Sequence, residues 1–305
     1  RVLPAMNTLC PQAGDDLPPG FPSLTRDPLN LGDLPASNPT PFTAAEVVRG
    51  VRSGDTGSAD GLSGQTYGTL RAWVSSEEGD ELTKRFTDYL NRIYAPPSST
   101  HCPHLPHCIR ELLIAGRAVL IPKNQQGDVR PIVVGHVFTR LVAWMALRAE
   151  AENTKKHFFP HQLAVGVASG AELAIFGTRA LLEEHPDWVH ISADAKNAFN
   201  SFTRQAFWPE ISQHFPNLAH LVNFMYGVPS AQIFFDPAEG AFCSVPSSVG
   251  SRQGCVLGSF LYCLALHPVL KEVADRFGEQ VVVMSYADDA TFTGPPEPTI
   301  QAFLL

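Results

Sequence analysis

Apolar and polar positions follow two different periods along this chain. In "TAAEVVRGVRS", Val47, Val48 and Val51 recur at helical spacing, and Thr43 precedes Glu46 by the three residues of a reciprocal N-cap. A helix is therefore predicted to open at Thr43. The Gly/Ser/Asp stretch 53–65 predicts a loop, and helical pattern then runs to about Tyr94, where "APPSST" ends it. "AVLIPKNQQGDVRPIVV" (118–134) reads as two β-runs around Gly127-Asp128, a hairpin. Residues 137–156 carry one long helical pattern. Ser169 and Glu172 repeat the N-cap spacing and predict a helix to Glu184. "WVHISAD" (188–194) reads as a buried strand and 256–277 as an apolar helix. "QVVVMSYADDATFTG" reads as a hairpin bent at its two aspartates. Helices mixed with hairpin-linked strands define an α+β fold. Residues 1–42 hold many prolines and little periodicity, and read as an extended lead-in. No internal repeat is visible.

Composition narrows the class. With 44% hydrophobic residues in 305, the chain can bury a sizeable core. No apolar run has the length of a membrane span, so no membrane partner is expected. Six cysteines are too few for a disulfide scaffold, which points to a reducing, intracellular setting. The first residues lack a signal-peptide core, and Arg1 in place of Met suggests an internal piece of a longer protein. The formal charge of -8 argues against a nucleic-acid binder, but its distribution reverses the argument. From Arg110 to Lys156, eight Lys/Arg face four acids, a local balance of +4. The basic share of the chain is concentrated there, although Arg148, Lys155 and Lys156 also fit an ordinary solvated helix face.

Asp288 and Asp289 stand side by side in an apolar setting, where like charges repel. A solvated turn, a neighbouring Arg or bound metal would each relieve them. A third acid, Asp194, ends the strand "WVHISAD". If the two strands are neighbours, Asp194 and Asp288 face each other across them, close enough to share a metal, and three hard-oxygen ligands meet at one sheet edge, a set suited to Mg²⁺. "HCPHLPHC" (101–108) also gathers Cys and His, but no second pair follows at zinc-finger spacing. It reads as a linker, with zinc as the alternative. No "GxSxG" nucleophile elbow occurs.

"SADAKNAFNSF" (192–202), "SRQGCVLGSFLYCLALHPVL" (251–270) and "YADD" (286–289), preceded by "KNQQGDVRPIVVG" (123–135), resemble, in order, the fingers and palm motifs of reverse transcriptases. The flavour is that of non-LTR (LINE-type) retrotransposons, and the likeness covers about 43–294. The resemblance implies a right-hand polymerase with an antiparallel palm sheet packed on helices: lead-in 1–42, fingers and start of palm 43–185, palm 186–305, and no thumb or endonuclease. It implies an RNA-directed DNA polymerase extending a primer 3′-end in retrotransposition, with RNA template, DNA primer and dNTPs as partners. Two Mg²⁺ ions, or Mn²⁺ in their place, would be held by Asp194, Asp288 and Asp289. Nuclear localisation follows from the same likeness; oligomeric state does not.

The resemblance also implies roles for individual residues. Phe199 would underlie the incoming sugar and clash with a ribose 2′-OH, although "AFNSF" equally suits a core ring. Lys123 and Arg130 would grip the triphosphate, although each also fits a solvated hairpin charge. Gln253 would contact nucleotide or template, and Gly254 would let the backbone approach, although an ordinary helix-entry loop looks the same. "CVLGS" after "RQG" departs from the proline-containing family pattern. Two rivals stay open: an inactive palm fragment that only binds nucleic acid, and a metal-independent α+β hydrolase or scaffold.

Overall fold

The computed structural model describes residues 34–37, 39–94, 105–123 and 129–305. Most of the lead-in, the hairpin turn at Gly127-Asp128 and the first half of the Cys/His cluster lie outside the described residues.

The helices are α1 (Ala44–Ser53), α2 (Tyr67–Val74), α3 (Gly79–Tyr94), α4 (His107–Ile114), α5 (Val137–Ala149), α6 (Ala151–Phe158), α7 (Gly170–Glu184), α8 (Ala198–Ser201), α9 (Arg204–His214), α10 (Ala219–Tyr226), α11 (Gly258–Phe277) and α12 (Pro296–Leu304). Helix α1 starts as the spacing predicts. Thr43 Oγ1 accepts from the Glu46 amide, and the Glu46 carboxylate accepts from the Thr43 amide at 2.8 Å. The same spacing at Ser169 behaves differently. Helix α7 opens there, but Ser169 is left-handed (φ 54°) and its side chain caps nothing. Packing decides the point: a Cβ on Gly170 would collide with the Leu163 carbonyl. The long pattern over 137–156 is two helices, broken at Glu150 (φ -95°, ψ 11°), which ends α5 and begins α6.

The strands are β1 (Gly116–Pro122), β2 (Val129–Gly135), β3 (Val189–Asp194), β4 (Ser230–Asp236), β5 (Ala241–Ser247), β6 (Val282–Tyr286) and β7 (Asp289–Gly294). One sheet has the order β2-β1-β4-β5, with β1 and β4 parallel and the other pairs antiparallel. It therefore joins strands from both sides of residue 185. The other sheet, β3-β7-β6, is antiparallel throughout. Strand β3 is not buried as expected: its residues alternate half-buried and exposed because it is an edge strand.

Among the described residues, three apolar clusters hold these layers. The largest gathers Val51, Leu70, Leu90, Ile93, Leu141, Phe207, Tyr226 and Phe260 from the helices. A second packs Val283, Ala290 and Phe292 of the three-stranded sheet on Leu270 and Val273 of α11 and Ala302 of α12. The third is the interior of the four-stranded sheet, Ala118, Val133, Phe234 and Val245. Helix α11 belongs to two of them. Phe260, Leu261 and Leu264 face the helical core, and Leu270 and Val273, one turn apart, face the sheet. Each such side chain contributes about 1.5–3 kcal/mol on burial.

Candidate active site

Strand register brings the acids together. Asp194 ends β3 directly opposite Asp289, the first residue of β7, and Asp289 pairs in turn with Tyr286 at the end of β6. Cross-strand partners project from the same face. The neighbouring row, Ala193, Ala290 and Ser285, projects from the other face, where Ala290 joins the α11 core and Ala193 packs against it. Asp194 and Asp289 are therefore carried on the face turned away from that core, and both are exposed. Asp288 occupies the two-residue turn between β6 and β7 and is half-buried. The cross-strand partner of Asp194 is thus Asp289, where the sequence pattern pairs it with Asp288.

The electrostatics fit convergence. Burial raises the Asp288 pKa above the ordinary carboxylate range; its own backbone amide opposes the rise, the charges of Asp289 and Asp194 add to it, and Arg130 counters it. On α11, burial raises the Tyr262 hydroxyl, and Asp288, Asp194 and Asp289 push it further. Burial, then Asp288, does the same to the Cys263 thiol. The acids thus share one locality, although among the described residues they are not a group whose carboxylate oxygens all lie within 4.8 Å of one another. Two exposed carboxylates beside a third of raised pKa form a hard-oxygen donor set, which fits Mg²⁺ or Mn²⁺ by chemistry.

The turn itself is held from outside. Ala287 has φ 56°, a left-handed backbone normally left to glycine at the first central position of such a turn. Gln162, fully buried, grips it from both sides. Its Oε1 accepts from the Ala287 amide at 2.9 Å, and its Nε2 donates to the Ala287 carbonyl at 3.2 Å and to Ser285 Oγ at 3.3 Å. Ser285 Oγ donates to the same carbonyl at 2.9 Å. The segment around Gln162 lies along β6, with Ser285 N–H donating to His161 and Leu163 N–H donating to Ser285. Sequence reading missed Gln162, because its partners lie more than 120 residues away.

A second support is the loop carrying "SRQG". Ser251 N–H donates to the Phe199 carbonyl at 2.7 Å, and Gly250 N–H donates to that of Phe202 at 2.9 Å. Further along, the Gln253 carbonyl accepts from Val133 N–H of β2 at 2.7 Å. Gly254 has φ +91°, and a Cβ there would stand 2.9 Å from the Val133 oxygen. Glycine is required at this close approach. Two buried arginines fix the loop. Arg204 donates to the carbonyls of Gly250, Tyr226 and Ser247, and Arg252 donates to the Ile114 carbonyl. Both lie on the Tyr226 ring, at 5.1 and 5.5 Å. Burial lowers the Arg204 pKa to about 10, which leaves it charged at neutral pH.

The remaining candidates fall around the acids. Phe199, on α8, packs its ring 5.2 Å from that of Tyr262. Arg130, exposed on β2 opposite Ile121, is near enough to act on Asp288. Lys123 is exposed one residue past β1. Gln253 Oε1 is buried without a hydrogen-bond partner. The helical His107-Cys108 end of the Cys/His cluster joins no group of three metal-ligating side chains among the described residues.

An antiparallel three-stranded sheet on helices, with acids at the end of two paired strands and in the adjacent turn, defines a polymerase-like palm. Residues 121–303 match the family model described as reverse transcriptase (RNA-dependent DNA polymerase). The chain belongs to that family. Solved structures similar to it are apo telomerase from Candida tropicalis (12% identity, TM-score 0.45, covering 63% of this chain and 40% of that one) and telomerase from Candida albicans in complex with a TWJ fragment of telomeric RNA (12% identity, TM-score 0.47, 66% and 41%). Another is apo Candida tropicalis telomerase truncated from its C-terminal domain (16% identity, TM-score 0.45, 80% and 62%). The chain thus spans less than two thirds of each. No curated protein matches it. Among the described residues, no helix is long and apolar enough to cross a membrane.

Proposed function

We propose that this chain carries the fingers and palm of an RNA-directed DNA polymerase of a non-LTR retroelement, with Asp194, Asp288 and Asp289 as its catalytic carboxylates. The observation that carries the reading is the Asp194–Asp289 register beside the Asp288 turn, inside the stretch that matches the family. The three carboxylates would hold two Mg²⁺ ions, which supply charge stabilisation to the transferring phosphoryl group. Arg130 offers a forked donor to a triphosphate near Asp288, and Lys123 a point charge. Phe199, braced by Tyr262, presents a ring where a 2′-OH would clash. Gln253 supplies an orphaned acceptor, and Gly254 a close backbone surface, for nucleotide or template. The fingers and the start of the palm run over 43–185 and the rest of the palm over 186–305, joined by the four-stranded sheet. An RNA template, a DNA primer and dNTPs are the substrates, and the setting is nuclear.

The test is primer extension on an RNA template with dNTPs and Mg²⁺, beside thermal denaturation without metal. Asp288→Asn is expected to abolish extension while leaving the metal-free melting temperature equal or higher. The raised pKa means that the fold disfavours the charge, so above the ordinary carboxylate pKa its removal relieves strain. Extension by Asp288→Asn at the wild-type rate sinks the assignment. Mg²⁺-independent primer-template binding with no extension by the wild-type chain favours the inactive binding fragment.

A further inference from the structure

A second group of metal-ligating side chains lies apart from the aspartates. His157 comes from α6, and Glu210 and His214 come from one face of α9, four residues apart. One ligand atom from each lies within 4.8 Å of the other two. His157 Nε2 stands 3.0 Å from Glu210 Oε2, and His214 Nε2 stands 4.0 Å from the same oxygen. Two ligands of a tetrahedral zinc ion with bonds of about 2.0–2.1 Å are about 3.3 Å apart. The observed separations bracket that edge.

The His157–Glu210 contact is an ion pair when the ring is protonated, and when the ring is neutral the buried Nε2 is free to ligate. His267 of α11 packs its ring 4.6 Å from that of His157, is only 6% exposed, and keeps a buried Nδ1 without a partner. The group lines an open cleft of about 990 Å³ together with Lys156, Lys271, Glu272 and Asp275. With Arg276, which also lines the cleft, three basic side chains disfavour a cation and three carboxylates favour one.

We propose that His157, Glu210 and His214 form a Zn²⁺ site that staples α6 to α9, with the fourth position open to the cleft. Two imidazoles and one carboxylate suit zinc better than Mg²⁺, whose ligands are oxygens. The inference is independent of the reaction proposed above.

The experiment titrates the metal-stripped full chain with Zn²⁺ in equilibrium dialysis and with Co²⁺ by visible absorption. To remove the aspartate cluster as a binder, the background carries Asp194→Asn, Asp288→Asn and Asp289→Asn. About one equivalent of Zn²⁺ is expected to bind in that background, with a tetrahedral Co²⁺ spectrum and a higher melting temperature. Loss of an outer partner of a metal ligand typically costs 10–100-fold in affinity, so losing a ligand should cost at least ~10-fold in His214→Ala. His214→Cys, which keeps a zinc ligand, should restore binding. His214 is half-exposed, so its substitution leaves the core alone; Glu210→Gln gives a second, nearly isosteric loss. Absence of stoichiometric binding overturns the proposal, as does unchanged affinity in His214→Ala and Glu210→Gln, or binding that vanishes with the aspartates.

Discussion

At the scale of single residues, the acids are less informative than what holds them. Asp194, Asp288 and Asp289 are legible because charge in an apolar run is conspicuous. Gln162 is not, because nothing local distinguishes a buried glutamine from an exposed one. Its bonds to both backbone groups of Ala287 compensate a left-handed alanine that would otherwise cost roughly 1–2 kcal/mol. Gln162→Ala should therefore lower stability by about 1–3 kcal/mol, the cost of leaving buried groups unsatisfied. It should also cut kcat for extension more than it raises KM for primer-template. Ala287→Gly in the same chain should restore part of both, because glycine needs no clamp. Urea denaturation and steady-state kinetics check this. A full loss of stability with unchanged kcat per folded molecule would make Gln162 a packing residue alone.

At the scale of elements, local patterns succeeded where neighbours agreed with them. Thr43 and Glu46 close their cap because nothing else competes for the first turn of α1. Ser169 and Glu172 have the same spacing, yet Ser169 is left-handed and its side chain caps nothing. Strand β3 looks buried in sequence because Val189, Ile191 and Ala193 alternate correctly, but register alone cannot tell an edge strand from a central one. Arg204 and Arg252 are buried, and their partners are distant carbonyls and a tyrosine face, which no periodicity encodes. A histidine caps α5. His136 Nδ1 accepts from the Phe138 amide at 3.2 Å, and burial lowers its pKa from the usual value near 6.5. Because the folded pKa is the lower one, the unfolded chain binds the proton more readily. The cap therefore contributes fully above about pH 6.5 and is lost as pH falls through the folded value. Melting temperature should drop over that window, and His136→Asn, which caps without titrating, should lessen the drop and leave the part due to His190 and His267, which burial also lowers. An unchanged profile in His136→Asn would place the pH dependence elsewhere.

At the scale of the whole molecule, the segment from Gly250 to Gly254 ties the short helix α8 to the four-stranded sheet. It bonds to Phe199 and Phe202, in and just after α8, and to Val133 of β2. The motif was visible in sequence, and its structural half was not, since both contacts are backbone to backbone. Gly254→Ala adds a side chain at φ +91° and 2.9 Å from a carbonyl, so it should destabilise by about 1–3 kcal/mol. It should also raise KM for dNTP, because β2 carries Arg130. A urea midpoint equal to wild type would show that the loop shifts freely.

Helix α11 has a consequence of a different kind. Its first half is inside the helical core and its second half lies under the palm sheet, with Pro268 between them. Neither core can melt without exposing one end of a rod whose other end is still clamped. The shared rod couples the two folding units, so a domain boundary drawn on the chain is not a boundary in cooperativity, and damage to the helical core is felt at the acids as a loss of population rather than of shape.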